Sequence, residues 1–253
     1  MKFPPSLRGI RAAFVFLTRI PVGGFPYSRD DWRWSTAHFP LVGAVLGVLL
    51  ALLHRALWGA GPLAASALVV AVGMLLTGAF HEDGLADTAD ALGGAFDREK
   101  LFAILKDSRV GSFGSGALTM VLLIRVALLE RLGVEAPLAL VLTQCAARTP
   151  PIWLMGAMDY VTADEASKSR QVARARTAQV TVATLYPALL LGGLVGLDLL
   201  TPARAVTVVG TAAAVALVCG WRFWRRAGGI TGDFLGATEQ VGECALLLAL
   251  CLA

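Results

Sequence analysis

The run His81-Glu82-Asp83-Gly84-Leu85-Ala86-Asp87-Thr88-Ala89-Asp90 sets four carboxylates within nine residues, directly after the apolar stretch SALVVAVGMLLTGAF. Asp83, Asp87 and Asp90 stand at i, i+4 and i+7, which on a helix confines them to one stripe. Like charges at this spacing destabilise an isolated helix, so a positive partner is expected. Hard oxygen donors suit a divalent cation such as Mg²⁺ or Mn²⁺, with water and phosphate completing its shell. The plainer reading is a solvated acidic helix start, favoured by the helix dipole. The adjoining apolar segment argues against it, because ionisable groups beside a membrane span are costly and mark function.

Two further clusters carry chemistry. In LKDSRVGSFGSGAL, Lys106 and Arg109 can neutralise phosphate oxygens, Arg with a bidentate fork. Asp107 can add a metal ligand. The glycines and serines that follow, from Gly111 to Gly116, expose backbone N–H groups at a helix start, a natural phosphate seat. A headgroup-facing loop with glycines for helix packing explains the segment equally well. The third cluster, RAGGITGDFLGATEQ, joins Thr231, Asp233 and Glu239 to a flexible backbone. A turn accounts for its glycines but not for the two acids. His81 is read as a helix-flanking hydrogen bonder or a general base, His38 and His54 as interfacial residues. Arg148, followed by Pro150 and Pro151, suggests a broken helix facing a cavity, since an Arg at that depth would not face lipid. Acids for a cation, basic residues and glycine turns together suit phosphoryl-group transfer on a diphosphate. No Walker lysine loop or kinase motif is present.

The elements that must position these residues are membrane helices. Of 253 residues, 57% are hydrophobic and only 16% charged, against about 25% charged in soluble domains; the mean hydropathy is +0.69. Apolar windows near the roughly 20 residues a bilayer crossing needs fall at about 38–58, 62–80, 113–130, 137–158, 178–198, 204–221 and 235–252. The expected fold is therefore all-α, a polytopic membrane protein of about seven spans in one domain covering 1–253. The last window carries Glu239 and Glu243 in its first half, so it is expected to begin against a protein-lined cavity. The start, MKFPPSLRGIRAAFVFLTRIPVGG, reads as a retained amphipathic helix at the interface. If seven spans alternate, 17 of the 22 basic residues lie on one side, which the positive-inside bias makes cytoplasmic. The net charge of +4 then reflects that bias and the lipid surface of the bilayer, with no nucleic-acid partner. Cys145, Cys219, Cys244 and Cys251 lack metal-ligand or redox spacing and read as small buried hydrophobes.

Five blocks in register, FLTRIPV, FPLVGAVLG, GAFHEDGLADTADALGG, LKDSRVGSFGSGAL and GGITGDFLGATEQ, resemble the cobalamin synthase family, the adenosylcobinamide-GDP ribazoletransferases. They span residues 16 to 240. The resemblance implies a multi-pass bacterial inner-membrane enzyme whose active site faces the cytoplasm. It would join adenosylcobinamide-GDP to α-ribazole or its 5′-phosphate, giving adenosylcobalamin or its 5′-phosphate and GMP, with Mg²⁺ as cofactor. Asp83, Asp87 and Asp90 match the family's acidic motif as metal ligands, with Glu82 beside them. Lys106 and Arg109 would act on the leaving phosphate. His81, Asp107, Ser108, Thr231, Asp233 and Glu239 would contact substrate. Asp90 or Glu82 would accept the proton of the attacking hydroxyl. The oligomeric state is open, a homo-oligomer included. A CDP-alcohol phosphotransferase is the nearest rival, but DGLADTAD lacks that motif's Ala-Arg pair and spacing. A cation transporter would place its acids mid-span.

Overall fold

In the computed structural model, which describes residues 4–161 and 174–253, regular structure is helical throughout. Among the described residues there is no strand, only a single bridge between Tyr160 and Ile230. Lys2, Lys168 and Arg170, three of the basic residues used to orient the chain, lie outside the described residues.

Proline at the first turn, tolerated because its missing N–H has no helical partner anyway, opens several helices. α1 (Pro5–Leu17) buries Gly9, Ala12, Ala13 and Leu17, the small-residue face of an amphipathic helix, against α2 (Arg29–Ser35) and α3 (Phe39–Ala56). α4 (Pro62–Thr77) and α5 (Phe80–Gly94) follow. Two consecutive left-handed residues, Gly78 at φ 69° and Ala79 at φ 56°, separate them. A left-handed alanine is uncommon, and here the pair swings α5 by 92° from α4. The acidic helix thus leaves the membrane-spanning direction and runs across the end of the bundle. α6 (Arg98–Ile104) is capped by the Asp97 carboxylate, which accepts from Lys100 N–H at 2.7 Å.

α7 (Ser112–Leu132), α8 (Ala136–Ala146) and α9 (Thr149–Ala157) form one nearly continuous helical stretch. Its 46 residues as a straight helix would run about 69 Å, over twice a hydrocarbon core. The 3₁₀ turn Gly133–Glu135, with Gly133 at φ 54°, divides it, and a second break at Ala147–Arg148 separates α8 from α9. α10 (Thr177–Gly196), α11 (Pro202–Ala227) and α12 (Gly232–Leu252) complete the bundle. Five stretches are long and apolar enough to cross a bilayer, or six when α4 and α5 count as one bent span. The difference from the seven expected windows is the third and fourth, which no loop separates.

Two apolar clusters hold the bundle together. One gathers Leu17, Phe39, Leu101, Ile152, Phe223 and Phe234 toward the end where α5 lies, with Phe223 and Phe234 stacked at 4.3 Å. The other gathers Leu50, Val69, Leu129, Leu140 and Leu246 toward the opposite end. The four cysteines are unpaired, Cys145 and Cys219 fully within the protein. Two histidines expected at the interface are instead inside. His38 bridges Tyr186 Oη and the Ser6 carbonyl, each at 2.8 Å, while His54 is wholly buried beside Trp58.

Candidate active site

The acidic stripe forms as the spacing predicts, but it does not stay on one helix. Gly84 packs so closely on α12 that a Cβ there would stand 3.0 Å from the Asp233 carbonyl oxygen, and one at Gly236 would stand 3.3 Å from the His81 carbonyl. This glycine-to-glycine approach brings Asp233, from the third sequence cluster, to the stripe. Asp83 is exposed, whereas Asp87, Asp90 and Asp233 are half-buried. Burial first, then the charges of Asp83, Asp233 and Asp90, push the Asp87 carboxyl up to about 6. Four acids from α5 and α12 therefore share one field.

Asp90 has a second job. Its carboxylate accepts the backbone N–H of Gly111 at 2.6 Å and of Gly114 at 2.9 Å, capping α7 from a neighbouring helix. A Cβ at either glycine would fall on that carboxylate. The glycine-rich start expected to seat a phosphate thus seats the Asp90 carboxylate, using the same unsatisfied N–H groups. The cap also ties the Lys106–Arg109 loop to the acidic stripe. Lys106, Ser108 and Arg109 are exposed there. Arg109 donates to both Asp107 oxygens from Nε and at 2.7 Å from NH2, which holds the Asp107 carboxyl down at about 2. Thr231 caps α12, its hydroxyl accepting from Phe234 N–H at 3.2 Å.

Glu82 does not join the other acids. It is buried, and its carboxylate meets Arg125 at 3.1 Å. Arg125 also reaches Glu243 at 2.9 Å and the Gln240 side-chain oxygen at 3.2 Å. Gln144 donates to Glu243 at 2.7 Å, and Arg148 donates to Gln144 Oε1 at 2.9 Å. Arg148 pairs with Glu239 at 2.9 Å, and His81 Nδ1 stands 3.8 Å from the same carboxylate. A polar lattice thus runs through the bundle under the acidic stripe, drawn from α5, α7, α8 and α12. The helix break expected at Arg148 is where that residue turns inward. Sequence reasoning missed Arg125, Gln144, Gln240 and Glu243 as one unit. The available signal was a lone arginine inside the apolar window 113–130.

Among the described residues no three His, Cys, Asp or Glu side chains enclose a metal ion as they stand. The donor chemistry of the rim nevertheless suits a hard cation held by few protein ligands. The charges of Asp83 and Asp233 both reach Asp87 and raise its proton affinity, and among the described residues neither Asp83 nor Asp87 meets a basic side chain in an ion pair or hydrogen bond.

The family model for cobalamin-5-phosphate synthase matches residues 9–251. An adenosylcobinamide-GDP ribazoletransferase of Albidiferax ferrireducens is 40% identical, the match covering 96% of this chain and 97% of that protein. Proteins of the same name from a Polaromonas species and from Shewanella piezotolerans are 39% and 36% identical, covering 95% and 93% of this chain and 95% and 92% of their own. No solved structure matches. The match over nearly the whole length, with all five sequence blocks inside it, shows that the chain belongs to the cobalamin-5-phosphate synthase family.

Proposed function

We propose that the rim formed by α5, the start of α12 and the Lys106–Arg109 loop transfers the phosphocobinamide group of adenosylcobinamide-GDP to α-ribazole or α-ribazole 5′-phosphate. The products are adenosylcobalamin, or its 5′-phosphate, and GMP. The observation that carries this reading is the packing of Gly84 on Asp233, which sets acids from two helices beside exposed basic residues at one end of a membrane bundle. Asp83, Asp87 and Asp233 would hold Mg²⁺, which supplies positive charge against the diphosphate. Asp90 keeps the adjoining loop in place through its two backbone hydrogen bonds. Lys106 and Arg109, the exposed cations on that loop, offset charge on the departing GMP phosphate. The ribazole 3′-hydroxyl attacks the phosphorus nearer the corrinoid, the bond to the GMP oxygen breaks, and a rim carboxylate takes the hydroxyl proton. Glu82, neutralised by Arg125, is a scaffold residue in this scheme.

The bacterial relatives and the membrane-length helices support a multi-pass protein of the bacterial inner membrane. The excess of basic residues beside the rim supports a cytoplasmic active site. Purified protein in lipid, given Mg²⁺, adenosylcobinamide-GDP and α-ribazole, is expected to release GMP only when both organic substrates are present. GMP release without acceptor, or none with it, would refute the reading.

A further inference from the structure

The block FLTRIPV brings one more cation to the rim. Thr18 ends α1: its hydroxyl donates to the Phe14 carbonyl at 2.7 Å and accepts the Ile20 N–H at 3.2 Å, and the chain leaves in extended form. Arg19 N–H then donates to the Leu76 carbonyl at 2.7 Å, one of those that the end of α4 leaves without a helical partner. The Arg19 side chain lies across Gly78, where a Cβ would fall on the guanidinium. The left-handed Gly78 therefore both turns the chain and admits Arg19. Phe16, one turn earlier, meets Phe80 edge-on at 5.3 Å. Phe80 heads the acidic stripe, three residues before Asp83 and seven before Asp87, and so shares their face of α5. Arg19 is exposed, and among the described residues its guanidinium makes no ion pair or hydrogen bond.

We propose that Arg19 binds the 5′-phosphate of α-ribazole 5′-phosphate and so sets a preference for the phosphorylated acceptor, an assignment that rests on the ribazoletransferase reading above. The order of groups along α5 selects this phosphate. Asp90 holds the Lys106–Arg109 loop at one end of the stripe. Arg19 stands at the other end, and the helix from Phe80 to Asp90 between them is about 15 Å long. A diphosphate is too short to meet both. Phosphoryl transfer sets the attacking and leaving oxygens roughly in line through phosphorus. With the GMP phosphate departing toward Lys106 and Arg109, the acceptor therefore enters from the Arg19 end. Its attacking 3′-hydroxyl stands at Asp83 and Asp87, and the 5′-phosphate on the same ribose projects past Phe80. Arg19 offers that phosphate a planar fork of donors that no carboxylate has claimed. α-Ribazole carries no phosphate and meets no opposite charge there, so Arg19 tells the two acceptors apart.

The test uses the full chain in lipid nanodiscs. Wild-type protein should show a higher kcat/KM for α-ribazole 5′-phosphate than for α-ribazole, a measurement free of folding effects; equal values would overturn the assignment. Arg19→Gln is expected to raise KM for the phosphorylated acceptor about ten- to a hundredfold, the loss of a charge-assisted contact, with KM for α-ribazole and for adenosylcobinamide-GDP changed less than about twofold. Three results with this variant would overturn the assignment. An equal rise for both acceptors marks a structural role. A rise in the donor KM places Arg19 on the diphosphate. No change at all is the outcome for a cation that meets only lipid phosphates. A wild-type chain that releases no GMP with either acceptor would count against the transferase reading alone. Donor-free binding, followed by the acceptor's own fluorescence anisotropy, would still decide Arg19. Weaker binding of α-ribazole 5′-phosphate but not of α-ribazole in Arg19→Gln supports it, and unchanged binding refutes it.

Discussion

Replacing Arg125 should do more damage than replacing any acid it touches. Its guanidinium lies 3.1 Å from Glu82 and 2.9 Å from Glu243, with both partners almost fully buried. A unit-charge pair about 3 Å apart is worth roughly 5 kcal/mol at an effective dielectric of about 20. Much of that only offsets desolvation, so the observable cost of deleting the shared cation is about 3–5 kcal/mol. Among the described residues, Glu82, Glu239 and Glu243 pair with two guanidinium groups, Arg125 and Arg148, so the lattice carries one carboxylate more than it has guanidinium groups. Arg125→Met widens that excess to two, while Glu82→Gln removes it and keeps an amide oxygen for Arg125 to donate to. Thermal unfolding of the purified protein, followed by its six tryptophans, should fall by about 6–20 °C for Arg125→Met. Glu82→Gln should stay within about 1 kcal/mol of wild type and retain GMP release, which a metal-binding Glu82 would not allow. Equal losses for the two variants, or an Arg125→Met protein as stable as wild type, would refute the lattice as described.

Four further outcomes follow from the rim. Asp87→Asn should lower turnover at least about a hundredfold while leaving the protein in the membrane, read by GMP release and membrane fractionation. Because burial and its acidic neighbours push the Asp87 carboxyl up to about 6 from 3.8, the folded protein without a cation should gain stability as pH falls from about 6 toward 4; over the same range Mg²⁺ must compete with a proton, so the Mg²⁺ concentration needed to raise the melting temperature should climb about tenfold per pH unit below 6. Gly84→Val should force α5 off α12, since even a Cβ would press on Asp233 backbone atoms 3.0 and 3.1 Å away; a loss of about 1–3 kcal/mol with a larger loss of activity is expected from melting and GMP assays. Arg109→Ala, at a fully exposed loop position, should leave the melting temperature unchanged and raise KM for adenosylcobinamide-GDP in steady-state assays.

The parts legible in sequence are those encoded within one segment. Apolar windows gave the helices to within a few residues, because burial in lipid or in a bundle asks the same thing of twenty consecutive side chains. The stripe Asp83, Asp87, Asp90 followed from helical period alone. What stayed hidden depends on two segments meeting. The 92° turn after α4 rests on Gly78 and on Ala79, and nothing in an alanine announces a left-handed backbone. Asp90 reads as a metal ligand until Gly111 and Gly114 arrive from 21 and 24 residues away to take its oxygens. Glu82 reads as the stripe's neighbour, yet one residue of helix rotation is about 100°, enough to turn it from the rim to Arg125. That rotation divides the labour: the face carrying Asp83 and Asp87 keeps its charge uncompensated, and the face carrying Glu82 is neutralised from α7. A helix able to do both must sit across the bundle end, with one side on solvent and the other on the lattice. Its sharp exit from α4 is thus the structural condition for the chemistry proposed at the rim.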